Sequence, residues 1–273
     1  MKGKAALGLF IYEETNPNEL KNCLESIWSI QSRKPDEIII ISDGPIKEKV
    51  RKMVQEFKKV CSLDIIYFNN DENIGLTKCL NQALKISNSE YFIRMDTDDI
   101  AMKDRFLKQI NYLDQNEDRS ILGTNAYEID GNNVELRERL LPEKHEDIIK
   151  LLPWLNPITH PTVVFRRKDI LQIGGYDERH RTSQDYDLWF RARSAGLKFH
   201  NLQESLLFYR INDGYHKRKD LRYRLKDIRI KYSALKNGGL SFLELPALII
   251  PLIVWLVPSS LYNRIKKIDP RKK

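Results

Sequence analysis

Residues 91–100 read YFIRMDTDDI, an apolar run closed by three carboxylates, Asp96, Asp98 and Asp99, within four positions. Like charges this close repel one another unless something positive sits among them. Oxygen ligands of this kind suit Mg2+ or Mn2+, which proteins hold through one or two carboxylates together with phosphates and water. Asp96 and Asp98 alternate around a turn, so one can face a metal while the other faces a sugar hydroxyl. A cation held there would neutralise a departing diphosphate and act as a template. The plainer reading, a solvated acidic turn, suits an isolated Asp-x-Asp better than one at the end of a buried strand. Arg94, just before the turn, either neutralises these acids or reaches a phosphate.

Three further places carry groups that could meet a ligand. Asp43-Gly44 follows the run EIIIIS (37–42); Asp-Gly marks turns generally, and here its position makes it a candidate for gripping a base or ribose. In ENIGLTKCLNQAL a glycine, Gly75, precedes a helix, where backbone N–H groups can meet a phosphate. His160, before Pro161 in NPITHPTVVFRR, can hold a diphosphate or an acceptor hydroxyl, or serve structure alone.

These residues need elements to position them. Residues 5–12 read as a first strand, with no small-residue cleavage site behind them to suggest a leader. NPNE then starts a helix, with Asn16 as cap, Pro17 in the first turn and Glu19 where a capping box needs it. Strand EIIIIS is followed by a helix with Val50, Met53, Val54, Phe57 and Val60 on one face. DIIYF (64–68) is the next strand, and Leu76, Leu80 and Leu84 mark a third helix before YFIRM. Four strands alternating with three helices predict a mostly parallel sheet covered on both faces. Ligands of such sheets bind outside the carboxyl ends of the strands, where Glu13, Glu14, Asp43, the NNDENIG loop and Asp96–Asp98 all fall. Residues 120–150 look irregular and charged, HPTVVFRR (160–167) reads as a strand, and SQDYDLWFRARSAG (183–196) opens a helix.

The chain has 273 residues and a net charge of +8. That charge is concentrated: residues 217–273 hold 15 Lys/Arg against four acids, leaving the body nearly neutral. A basic tail wants a polyanion. Within it, LPALIIPLIVWLV (245–257) is uncharged but interrupted by Pro246 and Pro251, too short for a plain span and suited to a monotopic segment. Leu221, Leu225, Ile228 and Tyr232 recur at helical spacing among cations, which suits an anionic membrane surface; the alternative is a helical hairpin packed on the body. The apolar run argues for lipid and against nucleic acid. Three separated cysteines, Cys23, Cys61 and Cys79, give neither a disulfide framework nor a zinc site, so a reducing cytoplasm is expected.

Five ordered motifs, Y-x-E after the first strand, PDEIIIISDGP, NIGLTKCLNQAL, RMDTDD and GGYDE…SQDYDLWFR, resemble the family 2 glycosyltransferases of the GT-A fold. The likeness covers roughly residues 5–210 and is greatest to bacterial members that assemble surface polysaccharides. It implies an α/β fold, a Rossmann-like nucleotide-binding half joined to an acceptor half, over residues 1–215; residues 216–273 remain the membrane-associating tail that their cations and apolar run suggest. It implies an inverting transfer from a UDP-hexose to a saccharide, often lipid-diphosphate-linked, with Mn2+ or Mg2+ at the cytoplasmic membrane face. By the same likeness Tyr12 and Glu14 lie near the nucleotide and Asp43 binds uracil or ribose. Asn73, Gly75 and Lys78 contact the nucleotide or order its loop, together with Arg94, while Asp96 meets ribose or donor sugar and Asp98 ligates the metal. Asp185 falls at the position of the acceptor-activating base, with Asp187 as rival two positions on. His160, Gln184 and Trp189 fall on the acceptor or diphosphate side, although Trp189 also suits packing. The chain departs from the pattern at Gln184, where an acid is usual, and at Phe10, where proline is frequent. A sugar nucleotidyltransferase is the alternative enzyme, disfavoured by the lack of a glycine-rich basic N-terminal loop. A non-enzymatic basic membrane- or nucleic-acid-binding protein is the alternative outside catalysis.

Overall fold

The computed structural model describes residues 3–211 and 221–248. Strand β1 (Ala5–Ile11) is buried along its whole length, as a strand covered on both faces requires. Helix α1 (Pro17–Trp28) starts at Asn16, whose side chain accepts from the Asn18 N–H at 2.9 Å. Glu19 approaches Arg210 at 3.6 Å, so the expected capping box gives way to a long-range contact. Then come β2 (Glu37–Ser42), α2 (Glu48–Val60), β3 (Asp64–Asn69), α3 (Leu76–Ile86) and β4 (Tyr91–Arg94). These four strands are parallel in the order β3-β2-β1-β4, with Leu7 level with Ile38 on one side and Ile93 on the other. The alternation of strand and helix in the sequence thus becomes the expected parallel half-sheet.

The second half extends the same sheet. It contains β5 (Ile100–Ala101), α4 (Arg105–Gln115), β6 (Arg119–Ile129), β7 (Glu135–Arg139), α5 (His145–Leu151), β8 (Val164–Arg166), α6 (Arg167–Gln172), α7 (Gln184–Ser194) and β9 (Lys198–Arg210). Strand β8 pairs antiparallel with both β4 and β6, and β6 runs parallel to β9, so the described strands form one mixed sheet. The stretch 120–150, expected to be irregular, contains the long strand β6. Its polar side chains disguise it: Ser120, Thr124, Asn125 and Glu128 are buried, each with a fixed partner. The Asn125 side chain accepts from Leu141 N at 2.8 Å, and Glu128 is paired with Arg137 and Arg139. The expected strand at 160–167 is shorter, because His160–Thr162 forms a 3-10 turn before β8.

Two apolar layers flank the sheet. Leu7, Leu9, Ile38 and Ile40 face one, with α1, α2 and α4; Ala6, Ile39, Ile41, Phe165 and Trp189 face the other, with α3 and α7. Each wholly buried Leu or Ile there contributes about 1.5–3 kcal/mol relative to exposure. Helix α8 (Leu221–Lys236) joins the second layer through Ile230 and Ala234, and Leu240 follows them. The first part of the basic tail is therefore docked on the body. On its outer side Leu225 and Tyr232 are exposed, and so are Phe242 and Leu243 in the turn beyond it. The apolar run past residue 248 and the terminal cations lie outside the described residues.

Candidate active site

The acidic turn sits where β4 ends, and three arginines shape it. Arg94, nearly fully buried, grips Asp96 with both guanidinium nitrogens at 2.8 and 2.5 Å. Arg105, buried beneath, donates to the Arg94 carbonyl at 2.9 Å and the Pro161 carbonyl at 2.8 Å, so the turn and the His160 segment share one anchor. Arg210 closes the far side: its Nε donates to the Asp98 carbonyl and its backbone N–H to Asp99 Oδ1, both at 2.8 Å. Ligand oxygens of Asp96, Asp98 and Asp99 come within 4.8 Å of one another. Burial first, and the Asp96 charge second, push the Asp98 carboxyl up to about 6. Asp99, fully buried, is pushed up further by burial and by Asp98, and its Oδ2 has no hydrogen-bond partner among the described residues. Such a concentration of acid is what a divalent cation relieves.

Beside it lies the loop expected to meet the nucleotide. Asp43 leaves the end of β2 and accepts from the N–H groups of Ile74 and Gly75 at 2.7 and 3.0 Å. One carboxylate thereby fixes the backbone ahead of α3. Gly75 has φ +90 and Gly44 has φ +84, and a Cβ on Gly44 would stand 2.7 Å from the Asn73 nitrogen. Only glycine accepts both the dihedral and that approach. Tyr12, 44% exposed just beyond β1, has its hydroxyl pKa raised by partial burial and then by Glu14, Asp98 and Asp96. Lys78 is exposed on the first turn of α3.

The residues expected on the acceptor side lie around α7. Asp185, in its first turn, accepts from the Asn156 amide at 2.8 Å. Asp187 is buried and held by Arg191 Nε at 2.7 Å, with His180 Nε2 3.7 Å away. Behind them His160 Nε2 meets the Tyr176 hydroxyl at 2.6 Å. Burial, and Arg94 after it, hold the imidazole well below its usual pKa, so His160 is neutral. Burial raises the Tyr176 hydroxyl pKa, with Arg94 lowering it and Asp185 raising it after that. A second group of possible ligands, Asp177, His180 and Asp187, also lies close together. Its carboxylates are matched by Arg179 and Arg191, and Arg179 holds Asp177 down to about 2. The acidic turn, where Arg94 matches Asp96 and Asp99 Oδ2 has no hydrogen-bond partner among the described residues, is the better seat for a metal.

Residues 9–174 match the family model described as Glycosyl transferase family 2. The chain belongs to glycosyl transferase family 2. It is 33% identical over 233 residues to the amylovoran biosynthesis glycosyltransferase AmsE of Erwinia amylovora, covering 84% of this chain and 85% of that one. Over 266 residues it is 28% identical to the UDP-Gal:alpha-D-GlcNAc-diphosphoundecaprenol beta-1,3-galactosyltransferase of Escherichia coli, covering 97% and 95%. Among solved structures, S. aureus TarS 1–349 in complex with UDP superposes with a TM-score of 0.67 at 16% identity, covering 96% of this chain and 78% of that one. That likeness is one of fold. The protein is thus a glycosyltransferase enzyme, and the nucleotidyltransferase and non-enzymatic alternatives fall away.

Within this family 2 transferase, Tyr12, Glu14, Asp43, Asn73, Gly75, Lys78, Arg94, Asp96 and Asp98 all gather at the carboxyl edge of β1–β4. Gln184 is buried beside Asp185 at the start of α7. Trp189 is a correction. It is fully buried with its ring 6.0 Å from His160 and 6.3 Å from Phe199, so it fills the core and presents no face to an acceptor. The sequence reading missed Arg105, Arg210, Tyr176 and Asn156, which hold the site residues in place. It also missed Arg181, whose Nε stands 3.6 Å from where a Gly75 side chain would begin. The clue for Arg210 was an arginine closing the short run LLFY (206–209) at the end of β9.

Proposed function

We propose that this glycosyltransferase moves a hexose, with inversion, from a UDP-sugar to a saccharide carried on a lipid diphosphate, during synthesis of a surface polysaccharide. The observation that carries the reading is the single edge on which Asp43 with its 73–75 loop, the acidic turn and Asp185 succeed one another. Support for the substrates comes from the E. coli relative, whose name gives UDP-Gal as donor and a GlcNAc-diphosphoundecaprenol acceptor. AmsE, named for amylovoran biosynthesis, supports the pathway class.

In this reading Asp43, Tyr12, Glu14 and the loop through Asn73 and Gly75 hold the uridine, with Lys78 and Arg94 supplying positive charge nearby. Asp96, fixed by Arg94, meets the ribose or the donor sugar. The acidic turn fits Mn2+ or Mg2+: Asp98 is the ligand, and the oxygens of Asp96, Asp98 and Asp99, crowded within 4.8 Å of one another, are the hard donors that such an ion takes. When bound, the cation supplies neutralisation of the diphosphate. Asp185 takes the proton from the acceptor hydroxyl as its oxygen bonds to the anomeric carbon. The bond from that carbon to the UDP oxygen breaks on the opposite face, which inverts the centre. Neutral His160, bonded to Tyr176, lines the path between Arg94 and Asp185.

The basic, apolar C-terminal part places the enzyme on an anionic membrane at its cytoplasmic face, where a lipid-linked acceptor resides. Among the described residues no helix is long and apolar enough to cross a membrane. Asp185→Asn tests the chemistry. Transfer should fall by roughly 10²–10⁴ while UDP binding stays intact; wild-type turnover in this variant would remove Asp185 as the base.

A further inference from the structure

Trp154, whose indole reaches solvent, lies two residues before Asn156, whose amide donates to Asp185. It lies in LPWLNP (152–157), the turn following α5, and is 41% exposed. Two hydrogen bonds to α7 hold this stretch on either side of the ring. The Tyr186 hydroxyl donates to the Leu152 carbonyl at 2.7 Å, and the Asn156 amide donates to Asp185 at 2.8 Å. Pro153 and Pro157, both buried, stiffen the backbone between and beyond them. The segment is therefore fixed while its largest apolar side chain stays open. A tryptophan carries about 150–250 Å² of area that gains free energy only against a partner, so the fold itself draws little from leaving it there.

We propose that Trp154 is the platform on which a pyranose ring of the acceptor stacks, presenting its hydroxyl to Asp185. A pyranose has an apolar C–H face and a polar rim. An indole offers a flat apolar surface for the first, and Asn156 with Asp185 offers hydrogen-bonding groups for the second. Ligand sites in general join an aromatic wall to a few placed polar groups. Trp189, the other tryptophan of this half, is unavailable in the core. The proposal rests on reading Asp185 as the base, and its partner is a saccharide. A lipid surface is the competing occupant.

The test uses the full chain with Mn2+, UDP-glucose, UDP-galactose and UDP-GlcNAc as donors, and two kinds of acceptor probe: methyl pyranosides, and GlcNAc on a short-chain lipid diphosphate. Trp154→Ala should raise the KM of an accepted probe by about tenfold, the scale of an aromatic stack. Its kcat, its UDP affinity and its slow hydrolysis of donor without acceptor should stay near wild type. Trp154→Phe should restore KM to within about threefold, which a loss of packing alone would not give. A wild-type KM in Trp154→Ala overturns the proposal, and so does a parallel loss of UDP binding, or lost binding to anionic vesicles with KM unchanged. If wild type binds UDP but accepts no pyranose probe, the acceptor class proposed here is wrong while the donor reading stands. If wild type does not bind UDP, the proposed function itself fails.

Discussion

Asn156 donates to Asp185 across 2.8 Å, so the side chain read as the base is aimed by a residue from the segment that follows α5. An amide hydrogen bond to a carboxylate costs little to build and fixes its rotamer. Asn156→Ala should lower kcat by roughly tenfold or more through misplacement of the base, with UDP affinity unchanged. Steady-state kinetics beside calorimetric UDP titration would separate the two; a fall in UDP affinity alone would assign Asn156 to the donor side.

Arg210 ends β9 and holds the acidic turn through the Asp98 carbonyl while also donating to the Asp130 carbonyl at 2.5 Å. Lysine keeps the charge and loses the planar fork. Arg210→Lys should weaken Mn2+-dependent UDP binding by about tenfold, since a ligand displaced by an ångström loses most of its geometry. Binding of UDP without metal should change little. Equal loss in both conditions would mean that Arg210 supports the fold generally.

Lys231 on α8 is buried, donates to the Ala247 carbonyl at 2.9 Å and lies 6.0 Å from the Tyr186 ring. Burial lowers its pKa to about 8, with Asp227 working in the opposite direction. Between that value and the unfolded lysine near 10.4 the unfolded chain holds a proton that the native chain has lost, so stability rises with pH across this window. Below it the cost of the buried charge is fully present, at most about 3 kcal/mol. Urea midpoints at pH 7.0 and 9.5 should draw wild type and Lys231→Met together at the higher pH, with the variant more stable at the lower. Parallel curves would place the ammonium in solvent.

The fold was legible in the sequence wherever burial was apolar and continuous. EIIIIS and YFIRM declared two strands because both of their faces are covered by helices. Strand β6 did not declare itself: its buried Asn125 and Glu128 are satisfied by Leu141, Arg137 and Arg139 on later segments, and no local pattern encodes such partners. The same distinction divides the site. Asp43, Asp96, Asp98 and Asp185 were visible as acids at element ends. Their supports, Arg105, Arg210, Asn156 and Tyr176, act across sequence separations that periodicity does not register. Trp189 was ambiguous for a different reason, since an indole beside acids reads equally as wall or as core until its burial is known.

The tail divides similarly. Ile230, Ala234 and Leu240 belong to the core with Trp189 and Phe190, so truncation near residue 215 should destabilise the catalytic half as well as release it from membranes. A cleaner probe is the turn after α8, where Phe242 is 77% and Leu243 91% exposed while Ser241 and Glu244 close a capping box around them. Phe242→Ser with Leu243→Ser should lower sedimentation with anionic vesicles by roughly tenfold or more, from the apolar area withdrawn, and leave the melting temperature close to wild type. A lower melting temperature with undiminished vesicle binding would show that these side chains pack against the protein.

The central claim is that the acidic turn and the Asp43 loop together form a metal-dependent UDP-sugar site. Calorimetric titration of UDP with and without Mn2+, on wild type and on Asp98→Ala, tests it most directly. Binding should be strengthened by Mn2+ in wild type, with that strengthening lost in Asp98→Ala. UDP binding that is indifferent to Mn2+, or equally metal-dependent in Asp98→Ala, would contradict it.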